Sequence, residues 1–326
     1  KHYNVKENRI YKNLEELLFK EKDRLDAIIV LTPTDQHFGQ VCKIIKAKIP
    51  IIVEKALATT YEEIHFIKEL LNEKNGFLAV IYNYLGYPII REFRNYLKDN
   101  LLGQLNQVLI EMPMDTYLRI DKDGEKITPQ QWRLEDKDIP LISLDLGVHL
   151  HMLLYYLTNQ KPLEVIAKLN SFGNFSSVVD NINCIIEYSN NLTCNMWFSK
   201  SAIGHRNGLK VRIYGEKGSI EWFQEDPENL LFADATGDRW IIDRGSPNLK
   251  ICNQDRYVRF KAGHPSGFIE AFSNYYFDIA ESLNQYKTDH ILNLNECFGI
   301  EESLEGIKLL KSISKSGKSK IWETVS

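Results

Sequence analysis

The sequence predicts an α/β protein in which a parallel, doubly wound sheet precedes an α+β domain with a large, mostly antiparallel sheet. Two observations indicate this fold class. Apolar, β-branched segments alternate with amphipathic helical segments over the first 85 or so residues, whereas several β segments joined by short turns follow from about residue 105. Alternating strands and helices are typical of a parallel sheet, and strands joined by short turns are typical of an antiparallel one.

The first domain is predicted to contain three strands with helices between them. An amphipathic helix over residues 13–24 comes first, and the later helices each follow an apolar strand. The predicted order is strand "DAIIVLTP", helix "DQHFGQVCKIIKAK", strand "IPIIVEK", helix "TTYEEIHFIKELLNEKNG" capped by Thr59 or Thr60, and strand "FLAVIYNY". Such units join parallel strands by right-handed crossovers. We therefore expect residues 1–88 to form a dinucleotide-binding, Rossmann-like domain.

Residues 89–326 are expected to form the second domain. A long helix in "PIIREFRNYLKDN" comes first, and further helices are predicted at about 141–157, 266–285 and 296–314. The predicted strands are "NQVLIEMP", "LEVIAKLN", "NCIIEYS", "LTCNMWFS", "LKVRIYG", "SIEWFQ", "NLLFAD" and "RWIID". This pattern predicts a mostly antiparallel sheet with helices on one face.

The composition excludes several classes of function. The 326 residues suffice for two domains, and 40 basic against 44 acidic residues give a net charge of −4 without a like-charge block, which argues against nucleic acid or an anionic membrane as the main partner. No apolar run approaches the roughly 20 residues of a membrane helix, and no signal segment opens the chain, so a cytoplasmic protein is expected. The five cysteines are widely spaced and indicate neither a disulfide framework nor a zinc site.

Candidate ligand-binding residues, most of them polar, follow each predicted strand of the parallel sheet. They are Thr32, Pro33 and His37 after the first strand, Glu54 and Lys55 after the second, and Asn83 after the third. Open α/β sheets bind ligands at the carboxyl ends of their strands, so a lysine in this place is expected to face a ligand. The alternative is that Lys55 begins a solvated loop ahead of the next helix.

Asp145 and His149 form a second candidate group, four residues apart in "LDLGVHLHMLLYYLT". On a helix this spacing puts both side chains on one face, so that the carboxylate can orient the imidazole. Such a histidine can accept a hydroxyl proton, and a nearby lysine ammonium stabilises the forming alkoxide. The alternative is a satisfied polar pair on a structural helix. His151 lies two positions from His149 and points to another face, so we predict no metal site.

The motifs, taken in order, resemble the Gfo/Idh/MocA family of nicotinamide-dependent sugar and polyol oxidoreductases, which includes glucose-fructose oxidoreductase and inositol dehydrogenases. The resemblance rests on Thr32-Pro33 with His37, Glu54-Lys55, Asn83 with Pro88, and Asp145-x-Gly147-x-His149. The stretches "QQWRLE", "HRNGLKVRIYGEKGSIEWFQEDPENL" and "GHPSGFIEAFSNYYFDIA" add to it. It extends from about Ile28 to Ala280.

The resemblance implies a role for each matching residue. Lys55 corresponds to a lysine between the nicotinamide and the reacting hydroxyl, and His149, with Asp145, to the proton acceptor. Positions matching those that line the nicotinamide-ribose side are Thr32, Pro33, His37 and Glu54, and Asn83 falls at the edge of the cofactor and substrate pockets. We predict substrate contacts at Trp132, Arg133 and His264, because polar and aromatic loop residues suit a hydroxyl-rich ligand.

The chain departs from the family pattern in several places. Ala56 stands where the family has proline after Glu-Lys, Leu85 where it often has arginine, and Met152 where it often has aspartate. No Gly-x-Gly-x-x-Gly precedes "DAIIVLTP", although a dinucleotide fold holds the pyrophosphate on such a turn. Because a βαβ unit takes about 30 residues, we expect roughly 60 residues ahead of Lys1. The alternative is natural loss of the pyrophosphate site.

Together these observations predict an NAD- or NADP-dependent dehydrogenase that acts on a secondary hydroxyl of a sugar, sugar derivative or cyclitol. The alternative is a catalytically silent relative that binds a sugar or a protein partner, which Ala56 and the missing glycine-rich turn motivate. The resemblance further implies a homodimer or homotetramer that associates through the open face of the large sheet.

Overall fold

The computed structural model of the protein describes residues 5–289, 292, 294 and 296–326. The chain divides into two compact units. The first contains the residues as far as Ile81 together with Ile279–Ser303, and the second contains Tyr82–Asp278 together with Leu304–Ser326.

The first unit is built on a three-stranded parallel sheet, as the alternating pattern predicts. Its helices are α1 (Leu14–Glu21), α2 (Thr34–Lys46) and α3 (Tyr61–Lys74), and its strands are β1 (Ile28–Val30), β2 (Ile51–Glu54) and β3 (Leu78–Ile81). The strands lie side by side in the order β1, β2, β3, with Ile28 paired to Ile51 and Ile51 to Leu78. Their carboxyl ends therefore lie at one edge of the sheet.

The ends of α3 show how the sequence sets its boundaries. Thr60 is the N-cap, since its side-chain oxygen accepts a hydrogen bond from the backbone N–H of Glu63. Glu63 reaches back and accepts one from the backbone N–H of Thr59, the residue before the N-cap, in an arrangement close to a capping box. The helix ends at Lys74, and its C-cap Asn75 adopts the left-handed conformation with φ 47°.

A late segment of the chain returns to the first unit. The backbone N–H of Val80 donates to the carbonyl of Phe298 at 2.8 Å, and the Tyr286 hydroxyl donates to the carbonyl of Asn75 at 2.5 Å. The segment belongs to helices α6 (Phe268–Asp289) and α7 (Ile300–Ser319) and the connection between them. The sequence-based division at residues 88 and 89 places this segment in the second domain, because sequence order alone does not show such a return.

The second unit contains a nine-stranded mixed sheet. Its helices besides parts of α6 and α7 are α4 (Pro88–Lys98) and α5 (Val148–Thr158). Its strands are β4 (Leu105–Pro113), β5 (Pro162–Asn170), β6 (Asn181–Tyr188), β7 (Leu192–Ser199), β8 (Lys210–Gly215), β9 (Gly218–Phe223), β10 (Asp226–Asp234), β11 (Arg239–Asp243) and β12 (Glu323–Thr324). The strand order is β11-β10-β9-β8-β4-β7-β6-β5-β12. All neighbours are antiparallel except β4 and β7, so the predicted fold class is confirmed.

The two faces of this sheet differ in burial. Along β4, Val108 and Ile110 are buried whereas the intervening Leu109 is half-buried, as the period of two in a strand requires. On the buried face, α7 packs against β5, where the Ser316 hydroxyl accepts a hydrogen bond from the backbone N–H of Ala167. The opposite face carries half-buried or exposed side chains such as Trp197 and Ile185.

Candidate active-site residues

In the first unit, the predicted residues lie at the carboxyl edge of the parallel sheet. Thr32, Pro33, Glu54 and Lys55 are all half-buried, and they follow or end the strands β1 and β2. The backbone N–H of Lys55 donates to Oε2 of Glu54 at 3.2 Å, and the peptide bond between Lys55 and Ala56 is cis. These four side chains stand where open α/β sheets bind their ligands.

His37 is buried beneath this edge and holds its two turns together. Its Nδ1 lies 2.8 Å from the carbonyl oxygen of Ala56, and its Nε2 lies 2.7 Å from that of Thr32. The side chain is fully buried. The imidazole thus joins the turn after β1 to the turn that carries Lys55, and both ring nitrogens are occupied by the main chain. A cofactor contact at His37 stays a prediction. Its contacts with the two turns support an indirect effect on cofactor binding, through the positions of the turns that carry Thr32 and Lys55.

Asn83 follows β3 and opens a short 3-10 turn, Asn83–Gly86, in the second unit. Asn83 is 5% exposed, and its Nδ2 has no hydrogen-bond partner among the residues that the structure describes. Gly86 is the last residue of the turn. Only glycine fits there, because a Cβ would lie 1.9 Å from the carbonyl oxygen of Ala271. A buried amide donor without a partner costs stability, which marks it as a donor available to a ligand.

Asp145 lies in a π-helical turn, Ser143–Gly147, directly ahead of α5. Its Oδ2 accepts hydrogen bonds from Nζ of Lys200 at 2.7 Å and from Nη1 of Arg133 at 3.0 Å. Irregular turns of this kind occur frequently at functional sites. Two cations therefore share one carboxylate oxygen, an arrangement that favours the charged form of Asp145 and fixes its orientation.

His149 lies one turn beyond Asp145 and is 8% exposed. The edge of the Tyr84 ring faces it, with 4.8 Å between the ring centroids, and Tyr82 is a second aromatic neighbour at 6.4 Å. Burial raises the pKa of Tyr84 to about 12, and the charge of Asp145 acts in the same direction. Tyr84 thus stays protonated at neutral pH, and it links the environments of Asp145 and His149.

The predicted substrate residues Trp132 and Arg133 lie beside Asp145, in a short 3-10 turn that spans Gln131–Leu134. The guanidinium of Arg133 stacks on the Trp132 ring at 4.3 Å. The Tyr117 hydroxyl donates to the carbonyl of Arg133 at 2.8 Å, and the Lys200 ammonium lies 5.0 Å from the centre of the Tyr117 ring. The structure therefore brings Trp132 and Arg133 together with Asp145.

His264, the third predicted substrate residue, occupies an exposed loop. Its carbonyl oxygen accepts a hydrogen bond from Nη2 of Arg244 at 3.0 Å. Among the described residues its imidazole makes no hydrogen bond, so the structure does not connect it to Asp145 through such bonds. Substrate contact at His264 stays a prediction.

Lys200 and Tyr84 belong to this group but are not predicted by the sequence patterns. Lys200 follows Ser199, the last residue of β7, and Tyr84 lies inside the quoted motif "YNYLGYP". The sequence does contain a pattern that points to Lys200. This lysine directly follows the apolar strand in "LTCNMWFSK", just as Lys55 follows an apolar strand. That strand lies in a predicted antiparallel sheet, where strand ends do not mark a ligand edge.

The residues at the sheet edge of the first unit fit the nicotinamide cofactor that the resemblance implies. Thr32, Glu54 and Lys55 offer a hydroxyl, a carboxylate and an ammonium on a half-buried surface, which suits the ribose hydroxyls and the amide of a nicotinamide nucleoside. Over residues 5–289, 292, 294 and 296–326, the structure shows no cluster of three or more His, Cys, Asp or Glu side chains suited to a metal ion. Within that same range no helix is long and apolar enough to cross a membrane.

Comparison with known proteins places the chain among oxidoreductases. Residues 1–82 match the family described as "Oxidoreductase family, NAD-binding Rossmann fold", and residues 90–221 match the "GFO/IDH/MocA C-terminal domain". The uncharacterized oxidoreductase YfiI of Bacillus subtilis is 28% identical over 98% of this chain and 83% of its own length. Levoglucosan dehydrogenase of Pseudarthrobacter phenanthrenivorans is 22% identical over 66% of this chain and 60% of its own length.

A solved structure shares the fold over nearly the whole chain. It is an inositol dehydrogenase homologue from Azotobacter vinelandii in complex with NADH and myo-inositol, and it is 24% identical with a TM-score of 0.86. The match covers 97% of this chain and 83% of the other. The predicted family and nicotinamide cofactor are thus confirmed. The chain belongs to the Gfo/Idh/MocA family of oxidoreductases, and its first unit carries the family's NAD-binding Rossmann fold.

Proposed function

We propose that the protein is an NAD(P)-dependent dehydrogenase that transfers hydride between the cofactor and a secondary hydroxyl of a sugar, sugar derivative or cyclitol. The observation that carries this proposal is the position of His149, a buried imidazole one helical turn from a carboxylate that two cations hold. A histidine in such a place is suited to take a proton from an alcohol.

Each group has a defined part in the proposed oxidation. His149 accepts the hydroxyl proton, and Asp145 stabilises the positive charge that the imidazole gains. The ammonium of Lys55 stabilises the negative charge that develops on the substrate oxygen. Thr32, Pro33 and Glu54 hold the nicotinamide end of the cofactor, which supplies the hydride acceptor when bound. In the reverse direction His149 returns the proton.

Polar and aromatic groups around Asp145 support the proposed substrate class. The Trp132 ring with the Arg133 guanidinium stacked on it offers an aromatic surface and N–H donors, which suit the apolar face and the hydroxyls of a sugar ring. Relatives in the comparisons include a levoglucosan dehydrogenase and a homologue bound to myo-inositol. For this chain we propose the same broad class of polyhydroxylated rings.

A spectrophotometric screen tests the proposed function. Reduction of NAD⁺ and of NADP⁺ is followed at about 340 nm with a panel of cyclitols, anhydrosugars and aldoses. We expect turnover with at least one ring compound, and slower turnover when deuterium replaces hydrogen at the reacting carbon. No turnover of any panel member, together with no binding of NADH or NADPH in calorimetry, would instead indicate the catalytically silent relative that binds a sugar or a protein partner.

A further inference from the structure

We propose that Lys200 is a positioning residue for the reaction, acting through Asp145. Its buried ammonium keeps Asp145 ionised and in one orientation, and thereby sets the readiness of His149 to accept a proton. This inference rests on the proposed function in one respect, namely that Asp145 and His149 carry out the proton transfer.

The backbone around Lys200 is held rigidly on both sides. Its N–H donates to the carbonyl of Asp180 at 2.7 Å, and its own carbonyl accepts from the backbone N–H of Tyr117 at 2.8 Å. Ser199, the preceding residue, ends β7 in the interior of the nine-stranded sheet. These main-chain hydrogen bonds fix the point from which the Lys200 side chain reaches Asp145, as a positioning residue requires.

Lys200 and Arg133, which both bind Asp145, differ in their surroundings. The side chain of Lys200 is 4% exposed, whereas that of Arg133 is 32% exposed and belongs to a short 3-10 turn. A salt bridge weakens as water gains access to it, so the bond from Lys200 at 2.7 Å is the stronger constraint on Asp145. Arg133, with Trp132 against it, is the partner placed to contact substrate as well.

The stability of the fold does not by itself explain a buried lysine here. Removing an ammonium from water is unfavourable, and a buried ion pair is often no more stabilising than apolar residues of the same volume. The four-carbon stem of Lys200 could be replaced by methionine without touching the main-chain bonds to Asp180 and Tyr117. A function for the charge itself accounts for its presence.

Several other titratable or charged groups surround Asp145, and their influence must stay constant in any comparison. They come from separate elements of the second unit: Tyr84 from the turn before α4, Tyr117 after β4, Arg133 from its 3-10 turn and His149 from α5, with Asp136 and Asp180 near Tyr117. A substitution confined to Lys200 leaves each of them in place.

The first experiment measures the ionisation of the Asp145 carboxyl group and does not depend on enzyme activity. The carboxyl carbon of Asp145 is followed by NMR through a pH titration in protein labelled at aspartate and assigned with Asp145→Asn. In Lys200→Met we expect its titration to move upward by about one pH unit or more, and in Lys200→Arg to stay near that of the unchanged protein. An unchanged titration in Lys200→Met would overturn the proposal.

The second experiment measures the consequence for the reaction. With a substrate from the screen, Lys200→Met should lower kcat about 100-fold, leave the affinity for NADH within about twofold, and move the acid limb of the pH profile of kcat/KM upward. Lys200→Arg should recover most of the loss because it restores the cation. An equal loss in both variants, or a parallel loss of NADH affinity, would show a structural role and contradict the proposal.

A matched control separates the loss of a specific charge from the loss of any lysine. Lys210 on β8 pairs with Glu221 at 3.6 Å, and among the described residues no hydrogen bond or ion pair joins it to Asp145. Lys210→Met should leave kcat and the Asp145 titration unchanged. Because the NMR titration needs no substrate, it decides the role of Lys200 even if no panel compound is turned over, so the two proposals can fail separately.

Discussion

His151 is the residue whose burial has the clearest consequence for stability. It is fully buried, and neither ring nitrogen has a hydrogen-bond partner among the described residues. Burial lowers its pKa from 6.5 to about 4. Between about pH 6.5 and pH 4, the imidazole is therefore protonated in the unfolded chain but neutral in the folded one. The stability contributed by neutral His151 is present above about pH 6.5 and is lost as the pH falls towards 4.

The variant His151→Phe tests this linkage. Between about pH 7.5 and pH 5.5 we expect the wild-type protein to lose about 1 kcal/mol more free energy of unfolding than the variant loses. At the higher pH the variant should be at least as stable, because it removes two unsatisfied ring nitrogens. Urea unfolding at both pH values measures the difference, and equal losses in the two proteins would contradict the account.

Among single residues, the sequence predicts those candidate active-site residues that follow a simple geometric rule. Lys55 can be predicted because it follows a parallel strand, and Asp145 with His149 because they stand four positions apart. Lys200 could not be selected in the same way, since its place beside Asp145 depends on contacts between residues 55 positions apart in the chain. The hydrogen bonds of His37 to two turns are equally invisible in the sequence.

At the scale of elements, Gly147 shows why the turn before α5 needs its sequence. A Cβ at this position would lie 3.0 Å from Cζ of Phe198 and 3.2 Å from Cδ2 of Leu310. We expect Gly147→Ala to cost about 1 to 3 kcal/mol, because two packed side chains would have to move. Thermal unfolding followed by circular dichroism measures the cost.

Gly39 provides the control for that substitution. It lies in α2, and a Cβ there would meet nothing within 4 Å. Gly39→Ala should therefore raise stability by about 0.5 to 1 kcal/mol through the better helix propensity of alanine. Destabilisation of similar size in both alanine variants would mean that packing around Gly147 is not the cause.

Most elements could be predicted because their patterns are local. Strands and helices appear where periodicity, caps and turns indicate them, as with Thr60 at the start of α3. The two-residue strand β12 and the π-helical character of Ser143–Gly147 were not predicted. Both depend on tertiary contacts: β12 exists only through its pairing with β5, and a π-turn has no distinctive local pattern.

At the scale of the whole molecule, we propose that two copies associate through the open face of the nine-stranded sheet. This follows the family resemblance, and on that face Leu109, Trp197 and the 41% exposed Ile185 border a hollow of about 530 Å³. Light scattering should give at least twice the mass of one chain. Ile185→Lys should reduce it to a monomer, whereas Ile203→Lys, at an exposed position outside the strands, should not.

Replacement of Lys55 shows whether its ammonium takes part in hydride transfer. Hydride transfer is measured in a single turnover for the wild-type protein, Lys55→Met and Lys55→Arg, and NADH affinity is measured for each by calorimetry. We expect Lys55→Met to slow hydride transfer by about 1000-fold or more with little change in NADH affinity, because the ammonium acts on the substrate oxygen in the transition state. A Lys55→Met protein that transfers hydride as fast as the wild type would contradict this expectation.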